Sequence, residues 1–149
     1  MENLIDYIDI REVGAPVAAA NNTDSNSDRI DMSCWEGAIF IATITDSEST
    51  GVATQTIQQN TADSDSGMAA LASGASTDTC VVTDDLNNQL LKTAVHKPLE
   101  RYIQAVRTSA TANIAFGTQI VILYGCKKLP VADHSTVLDS DEVISPAEA

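Results

Sequence analysis

The stretch RYIQAVRTSATANIAFGTQIVILYG, residues 101–125, is the most apolar and most regularly patterned part of the chain. Two runs rich in β-branched and aromatic residues flank a middle of small residues, which is typical of two strands joined by a turn. No residue in the stretch belongs to a catalytic motif, so it is expected to be scaffold. The residues expected in the core are Ile103, Val106, Ile114, Phe116, Ile120 and Ile122.

Further strand patterns precede this stretch. EGAIFIATITD, residues 36–46, indicates a strand buried on both faces, whereas NQLLKTAVHK, residues 88–97, alternates apolar and polar residues. GVATQTIQQN, residues 51–60, follows the first as a strand with a polar face, and one helical turn is predicted at Met68–Ala72. Six or seven strands without intervening helices predict an all-β fold: an antiparallel β-sandwich, jelly-roll-like in its connections.

The 149 residues are expected to form one domain with distinct ends. Residues 1–28 are predicted to be an N-terminal arm and linker, because small residues and turn formers separate an apolar start from the patterned body. The sandwich is expected over residues 29–128, and residues 129–149 are expected to form an acidic, extended tail. The arm residues expected to contact a partner or a second copy are Leu4, Tyr7, Ile8 and Ile10.

The net charge of −13 is unevenly distributed. Residues 1–90 contain 15 acidic and two basic residues, whereas residues 91–128 contain six basic residues and one acidic residue. Such an acidic chain disfavours nucleic-acid binding, which depends on neutralising phosphates. Arg101 and Arg107 are predicted to face an acidic surface, on a second copy or on a partner. The alternative is that they are solubilising charges beside apolar strands.

The cysteines and the N-terminus favour a soluble protein made in a reducing cytoplasm. Cys34, Cys80 and Cys126 are too far apart in sequence for a zinc motif, and their odd number leaves one unpaired in any disulfide scheme. The start, MENLIDYIDI, carries acids where a signal peptide needs positive charge. No run approaches the roughly 18 apolar residues of a membrane span.

Motifs for enzymatic, metal or cofactor chemistry are absent from the sequence. His96 and His134 lie in no nucleophile or zinc-protease motif, and no glycine-rich phosphate loop occurs. The acidic turn beginning at Asp63 has Gly74 where a calcium loop needs a bidentate Glu. The sequence therefore predicts a non-enzymatic protein without a metal or cofactor. Trp35 is expected to pack at the edge of the sandwich, or else to contact a partner or a sugar.

Three stretches carry a resemblance to a known class of proteins. They are RIDMSCWEGAIFIATITDSESTGVATQTIQQNTADSDSGMAALASG, DDLNNQLLKTAVHKPLERYIQAV and TANIAFGTQIVILYG, the last followed by PV at residues 130–131. Between residues 28 and 131 the chain resembles, in overall pattern, the capsid decoration (cement) proteins of tailed bacteriophages. That class has no shared signature of functional residues, so the resemblance assigns none here.

The resemblance implies a virion structural protein on the outer surface of a phage capsid. It would be made in the host cytoplasm, form dimers or trimers, and staple neighbouring major capsid protein subunits. A neck, tail or head-fibre component is an alternative within the same class. A carbohydrate-binding β-sandwich module, with Trp35 stacking on sugar, is the alternative from a different class.

Overall fold

Ten strands in two antiparallel sheets form the part of the chain described by the computed structural model, residues 3–141. A 3-10 turn at Leu4–Asp6 comes first. The strands are β1 Ile8–Gly14, β2 Val17–Ala20, β3 Thr23–Asn26, β4 Ile30–Asp31, β5 Gly37–Ser47, β6 Val52–Asn60, β7 Ala69–Thr79, β8 Leu90–His96, β9 Tyr102–Ala110 and β10 Ile114–Tyr124.

The strand order is that of a jelly roll. Sheet A runs β1-β10-β5-β8 with β2 also beside β10, and sheet B runs β3-β9-β6-β7 with β4 also beside β9. If β1 with β2, and β3 with β4, each count as one interrupted strand, the eight resulting strands pair first with last, second with seventh, third with sixth and fourth with fifth. This is the arrangement of a double-sheet jelly roll. The prediction of an antiparallel, jelly-roll-like β-sandwich is therefore confirmed.

The stretch 101–125 contributes the strands on which most others depend. β9 pairs with β3, β4 and β6, while β10 pairs with β1, β2 and β5. Although consecutive in sequence, the two strands lie in opposite sheets. Six of the other strands therefore take their position from this one segment.

The core lies between the sheets, but the strand β10 contributes different residues from those expected. Ile103, Val106, Ile114 and Phe116 are buried as predicted. The prediction for Ile120 and Ile122 is wrong: both are half-buried, and Val121 and Leu123 point inward instead. The cause is a register shift between Phe116 and Gln119, because one extra residue in a strand exchanges its inner and outer faces.

The prediction of a separate arm and linker over residues 1–28 is wrong for most of that range. β1 pairs with β10 from Ile8 to Gly14, β2 pairs with β10, and β3 pairs with β9. Val13 is buried in the core, with 4% of its surface exposed. Glycine, alanine and asparagine mark short breaks between these strands, and at the sequence level such breaks resemble a linker.

The C-terminal segment contains no strand over the described residues 125–141. It nevertheless folds back along β1, since the Val131 amide donates to Asp6 O (3.0 Å) and the Glu12 amide donates to Thr136 Oγ1 (3.2 Å). The predicted extended tail thus contacts the sandwich as far as residue 141. The rest of the predicted tail, residues 142–149, lies outside the described residues.

Replacing Val13 tests whether β1 is part of the sandwich in solution. Val13→Asp puts a carboxylate between the sheets, and we expect it to reduce the free energy of unfolding by several kcal/mol, measured by urea denaturation. The matched control is Thr56→Asp on the outer face of β6, expected within about 0.5 kcal/mol of wild type. If Val13→Asp were as stable as the wild type, the result would contradict the pairing of β1 and support a detached N-terminal arm.

Candidate functional site

The outer face of sheet A is apolar, although it is not covered by another layer of the described chain. Strand alternation places on it seven large aliphatic side chains, all half-buried or exposed: Ile8, Ile10, Ile39, Ile41, Leu90, Ile120 and Ile122. Leu90 has 61% of its surface exposed. This surface is called the sheet A face below. A contiguous patch of this kind on one face of a sheet is a mark of an interaction surface.

The strand register arranges these side chains in lateral rows. Ile10 is opposite Ile122, which is opposite Ile39, so three isoleucines cross three strands side by side. Directly opposed residues of this kind have Cβ atoms about 5 Å apart. The apolar side chains therefore form a continuous surface rather than isolated exposed positions.

The next row carries an acid and a base at opposite margins of this face, and Asp46, near the end of β5, is a further exposed acid on it. Glu12 is opposite Ile120, Ile120 is opposite Ile41, and Ile41 is opposite Lys92. The two isoleucines thus lie between an acid at the β1 margin and a base at the β8 margin. Neither Glu12 nor Lys92 forms an ion pair with any other residue in the range 3–141.

A groove of about 800 Å³ deepens the sheet A face towards Ser47. Ile41, Thr43 and Ile120 contribute to its lining, together with Pro16–Ala18 on the β2 side and Leu90 on β8. A smaller hollow of about 250 Å³ lies at the β1 margin, where Ile8 and Ile10 meet Val137 of the C-terminal segment. The C-terminal segment therefore flanks this margin, and the centre of the face stays open.

The outer face of sheet B is polar by comparison. Its outward positions on β6 and β9 include Thr54, Thr56, Gln58, Gln104 and Thr108. The Gln104 amide donates to Gln58 Oε1 (2.9 Å), so part of this polarity is satisfied within the sheet. The apolar outer face of sheet A is therefore suited to contact with a protein, and the more polar outer face of sheet B is suited to contact with water.

The two ends of the sandwich also differ in charge. The end at which β5 finishes, called the Ser47 end, has acids in its connections and no Lys or Arg. The opposite end, where β5 begins, is called the Gly37 end. It carries the bases Lys97, Arg101, Lys127 and Lys128, with Leu99 almost fully exposed, and also the acids Glu36, Asp63, Asp65 and Glu100. The basic block of the sequence is thus gathered at one end of the fold.

Arg101 forms an ion pair within the chain. Its Nη2 donates to Asp31 Oδ2 (2.7 Å) and its Nε donates to Asp31 Oδ1 (3.0 Å). The hydrogen bonds from Arg101 hold the pKa of Asp31 well below its usual range, and the same contact raises the pKa of Arg101. The predicted contact of Arg101 with an acidic partner stays a prediction, since the guanidinium remains largely exposed.

Arg107 is buried, and the prediction that it faces a partner is wrong. Only 1% of its surface is exposed. Its Nη1 donates to Gly117 O (2.7 Å), and its Nη2 donates to Ala15 O (2.9 Å) and Ser25 Oγ (3.2 Å). Burial lowers the pKa of Arg107, while the negative charge of Glu12 opposes that effect. Arg107 therefore joins β9 to the β1–β2 connection and to the irregular part of β10.

A neighbouring glycine makes room for this contact. A Cβ atom on Gly14 would lie 2.9 Å from Arg107 Nη2 and 2.8 Å from Gln119 Oε1. Gln119 in turn donates from Nε2 to Gln55 Oε1 (2.7 Å), and Gln55 donates to Phe40 O (3.1 Å). A polar network thus crosses the core between the sheets, and no composition-based reading of the sequence revealed it.

The remaining expected contact residues fall in different places. Trp35 packs against the core, in agreement with the packing alternative. Leu4 and Ile10 are exposed, while Tyr7 and Ile8 are half-buried. Ile8 and Ile10 belong to the sheet A face, so their predicted role in a contact stays a prediction, now as part of a sheet. The sequence did not identify Ile39, Ile41, Leu90 or Lys92, because outward residues of a strand show only in the final register.

The His, Cys, Asp and Glu side chains of residues 3–141 are the other candidates for a chemical site. No group of three or more His, Cys, Asp or Glu side chains is placed to hold a metal ion there. Cys34, Cys80 and Cys126 are all free. His96 Nδ1 lies 3.3 Å from the hydroxyl of Tyr124, and the two rings stack 6.0 Å apart. No helix in the described range is long and apolar enough to cross a membrane.

The fold and these surfaces define the chain as a jelly-roll β-sandwich with one apolar outer face. No family model matches the chain, and no curated protein is significantly similar to it in sequence. The interpretation of function therefore depends on the architecture, on the surfaces described above and on the resemblance seen in the sequence.

Charge reversal at the two arginines is expected to give opposite results. Arg107→Glu places an acid among the buried oxygens of Gly117 and Ala15, and we expect a loss of at least about 3 kcal/mol in the free energy of unfolding. Arg101→Glu, at an exposed position, should leave the protein folded with a small loss. Chemical denaturation measures both, and equal stabilities would contradict the buried position of Arg107.

The Asp31–Arg101 pair predicts a pH dependence. The lowered pKa of Asp31 means that its stabilisation is present above the unfolded-state pKa near 4 and is lost as the pH falls below it. We therefore expect Asp31→Asn to lower the denaturation midpoint at pH 7, and the difference from wild type to shrink at pH 2.5. Asp46→Asn, without an ion pair in residues 3–141, is the control. A difference that grows in acid would contradict the assignment.

Proposed function

We propose that this protein is a non-enzymatic capsid decoration protein of a tailed bacteriophage. The single observation that carries the proposal is the eight-strand jelly-roll order, a fold used by viral capsid and lectin domains. The resemblance of residues 28–131 to phage decoration proteins supports the same proposal. Fold alone does not define function, so the surfaces must be consistent with the role.

The Gly37 end is the proposed capsid contact. Lys97, Lys127 and Lys128 lie there without an ion pair in residues 3–141, and Leu99 is 93% exposed beside them. An exposed apolar side chain flanked in sequence by Lys97, Glu100 and Arg101 matches the usual anatomy of an interface, with an apolar centre and a polar rim. The connections here are held together by backbone contacts, including the Lys97 amide to Glu36 O and the Lys127 amide to Cys34 O (3.1 Å). The contact surface is thus preorganised.

The carbohydrate-binding alternative is weakened by the position of Trp35. A sugar platform needs an aromatic face open to the ligand. Trp35 is partly buried and packs against the core cluster, so at least part of the aromatic side chain on which this alternative depended is used in packing. A position in the neck, tail or head fibre remains within the same proposed class, and imaging of labelled virions distinguishes it from the capsid.

Capsid binding by the purified protein tests the proposal. Virions that carry this chain are stripped by dialysis and mixed with increasing amounts of the protein, and bound protein is measured after sedimentation. We expect saturable rebinding at a fixed stoichiometry, with protein located on the head by electron microscopy. Failure to rebind, or rebinding confined to the neck or tail, would contradict the decoration role.

Two double charge reversals test the proposed contact. Lys127→Glu with Lys128→Glu changes the Gly37 end, and we expect at least about tenfold weaker capsid binding, since like charges across an interface are unfavourable. Asp46→Lys with Glu48→Lys makes the matched change at the Ser47 end and should leave binding within about twofold. The reverse pattern would place the contact at the Ser47 end.

A further inference from the structure

We propose that two copies of the chain pair through their sheet A faces, about a twofold axis that runs parallel to the strands. The proposal begins from the difference between the two outer faces. Sheet A exposes a surface of isoleucine and leucine, whereas the corresponding positions of β6 and β9 in sheet B are mostly threonine and glutamine, with Val106 buried among them. Leaving the sheet A face in water is costly, and covering it removes that cost.

The extent of the face suits a second copy. Its four strands, about 4.8 Å apart and about seven residues long, span roughly 20 by 25 Å of backbone. Side chains on this pleated surface bring its accessible area towards the roughly 800 Å² per partner of a standard interface. Two such faces pack in the same way as the two sheets of a sandwich, with nearly aligned strands about 10 Å apart.

The charges select the orientation. Glu12 and Lys92 occupy opposite margins of one row, with Ile120 and Ile41 between them. A twofold axis parallel to the strands places β1 of one copy over β8 of the other. Glu12 of each copy then meets Lys92 of the other, and the two isoleucine pairs stack at the centre. This contact is self-complementary, as a twofold interface requires.

The groove fits the same orientation. Leu90 projects from β8, and the Pro16–Ala18 wall of the groove lies at the opposite margin, at the same end of the face. Exchange of the two margins brings Leu90 of each copy over the groove of the other. The dimer therefore contains two equivalent contacts, in each of which Leu90 of one copy fills the groove of the other. The C-terminal segment flanks the interface at the β1 margin.

Sedimentation velocity of the full chain tests the pairing. We expect the wild type to sediment as a dimer of the 15.7 kDa chain, and Ile41→Lys to weaken dimerisation at least about 100-fold by placing two lysines at the centre of the interface. Thr56→Lys is the matched control on sheet B and should remain dimeric. Leu90→Lys, at an exposed position where folding is not at risk, is expected to weaken the dimer as well.

Charge exchange tests the axis. Glu12→Lys or Lys92→Glu alone should weaken the dimer roughly threefold to tenfold at low salt, and the double exchange should restore it to within about twofold. A wild type that stays monomeric at about 100 µM, a trimer, or a dimer unaffected by Ile41→Lys and Leu90→Lys would overturn the pairing. If the double exchange failed to restore wild-type dimer affinity, the proposed twofold axis parallel to the strands would be wrong. None of these measurements involves a capsid, so they stand apart from the test of function.

Discussion

The hydrogen bond from Arg107 Nη1 to Gly117 O, 2.7 Å long, is the contact on which the two faces of sheet A depend. It holds β10 where the register shifts, and the shift decides which side chains of that strand point inward. Before the register shift, the side chains of Ile114 and Phe116 point into the core. After the shift, those of Gln119, Val121 and Leu123 point inward. This irregularity turns Ile120 and Ile122 outward and so adds β10 to the apolar outer face. A buried guanidinium with no carboxylate bonded to it is costly, and here it secures a register that a regular strand would not adopt.

Most of the fold was predictable from sequence, because its longest strands have clear local patterns. β5, β6, β8, β9 and β10 have long β-branched runs or clear alternation, and the structure confirms all five as strands. The prediction that β5 is buried on both faces is wrong, because Ile39 and Ile41 lie on the uncovered face of sheet A. β7 was mistaken for a break with a helical turn. It is an edge strand of sheet B, and its alanine, serine and glycine residues show no alternation of apolar and polar side chains. β1 to β3 were mistaken for an arm and linker. Their partners, β9 and β10, lie 80 to 116 residues further along the chain, and no local pattern reveals pairing over that distance.

The surfaces were harder to predict, for a related reason. Sequence reasoning treats an isoleucine in a strand as a core residue. Ile39 and Ile41 instead alternate onto the outer face of sheet A, and Ile120 reaches that face through the register shift. Arg107 shows the converse error, since a cation in an alternating strand was read as surface. Its inward direction follows from Ile103 and Ala105 on the same side of β9, a pattern visible in the sequence. The acceptors that make its burial tolerable, Gly117 O and Ala15 O, become neighbours only after folding.

The proposed dimer and the proposed capsid contact constrain each other. An axis parallel to the strands leaves the two Gly37 ends pointing in the same direction, so both sets of exposed lysines face one surface. An axis across the strands would point them in opposite directions, and only one copy could attach. A protein that staples neighbouring capsid subunits needs two attachments of fixed separation, which the first arrangement supplies and which raise the effective affinity of the second contact. The acidic Ser47 ends then face away together, and their mutual repulsion is the unfavourable term that the apolar face has to outweigh.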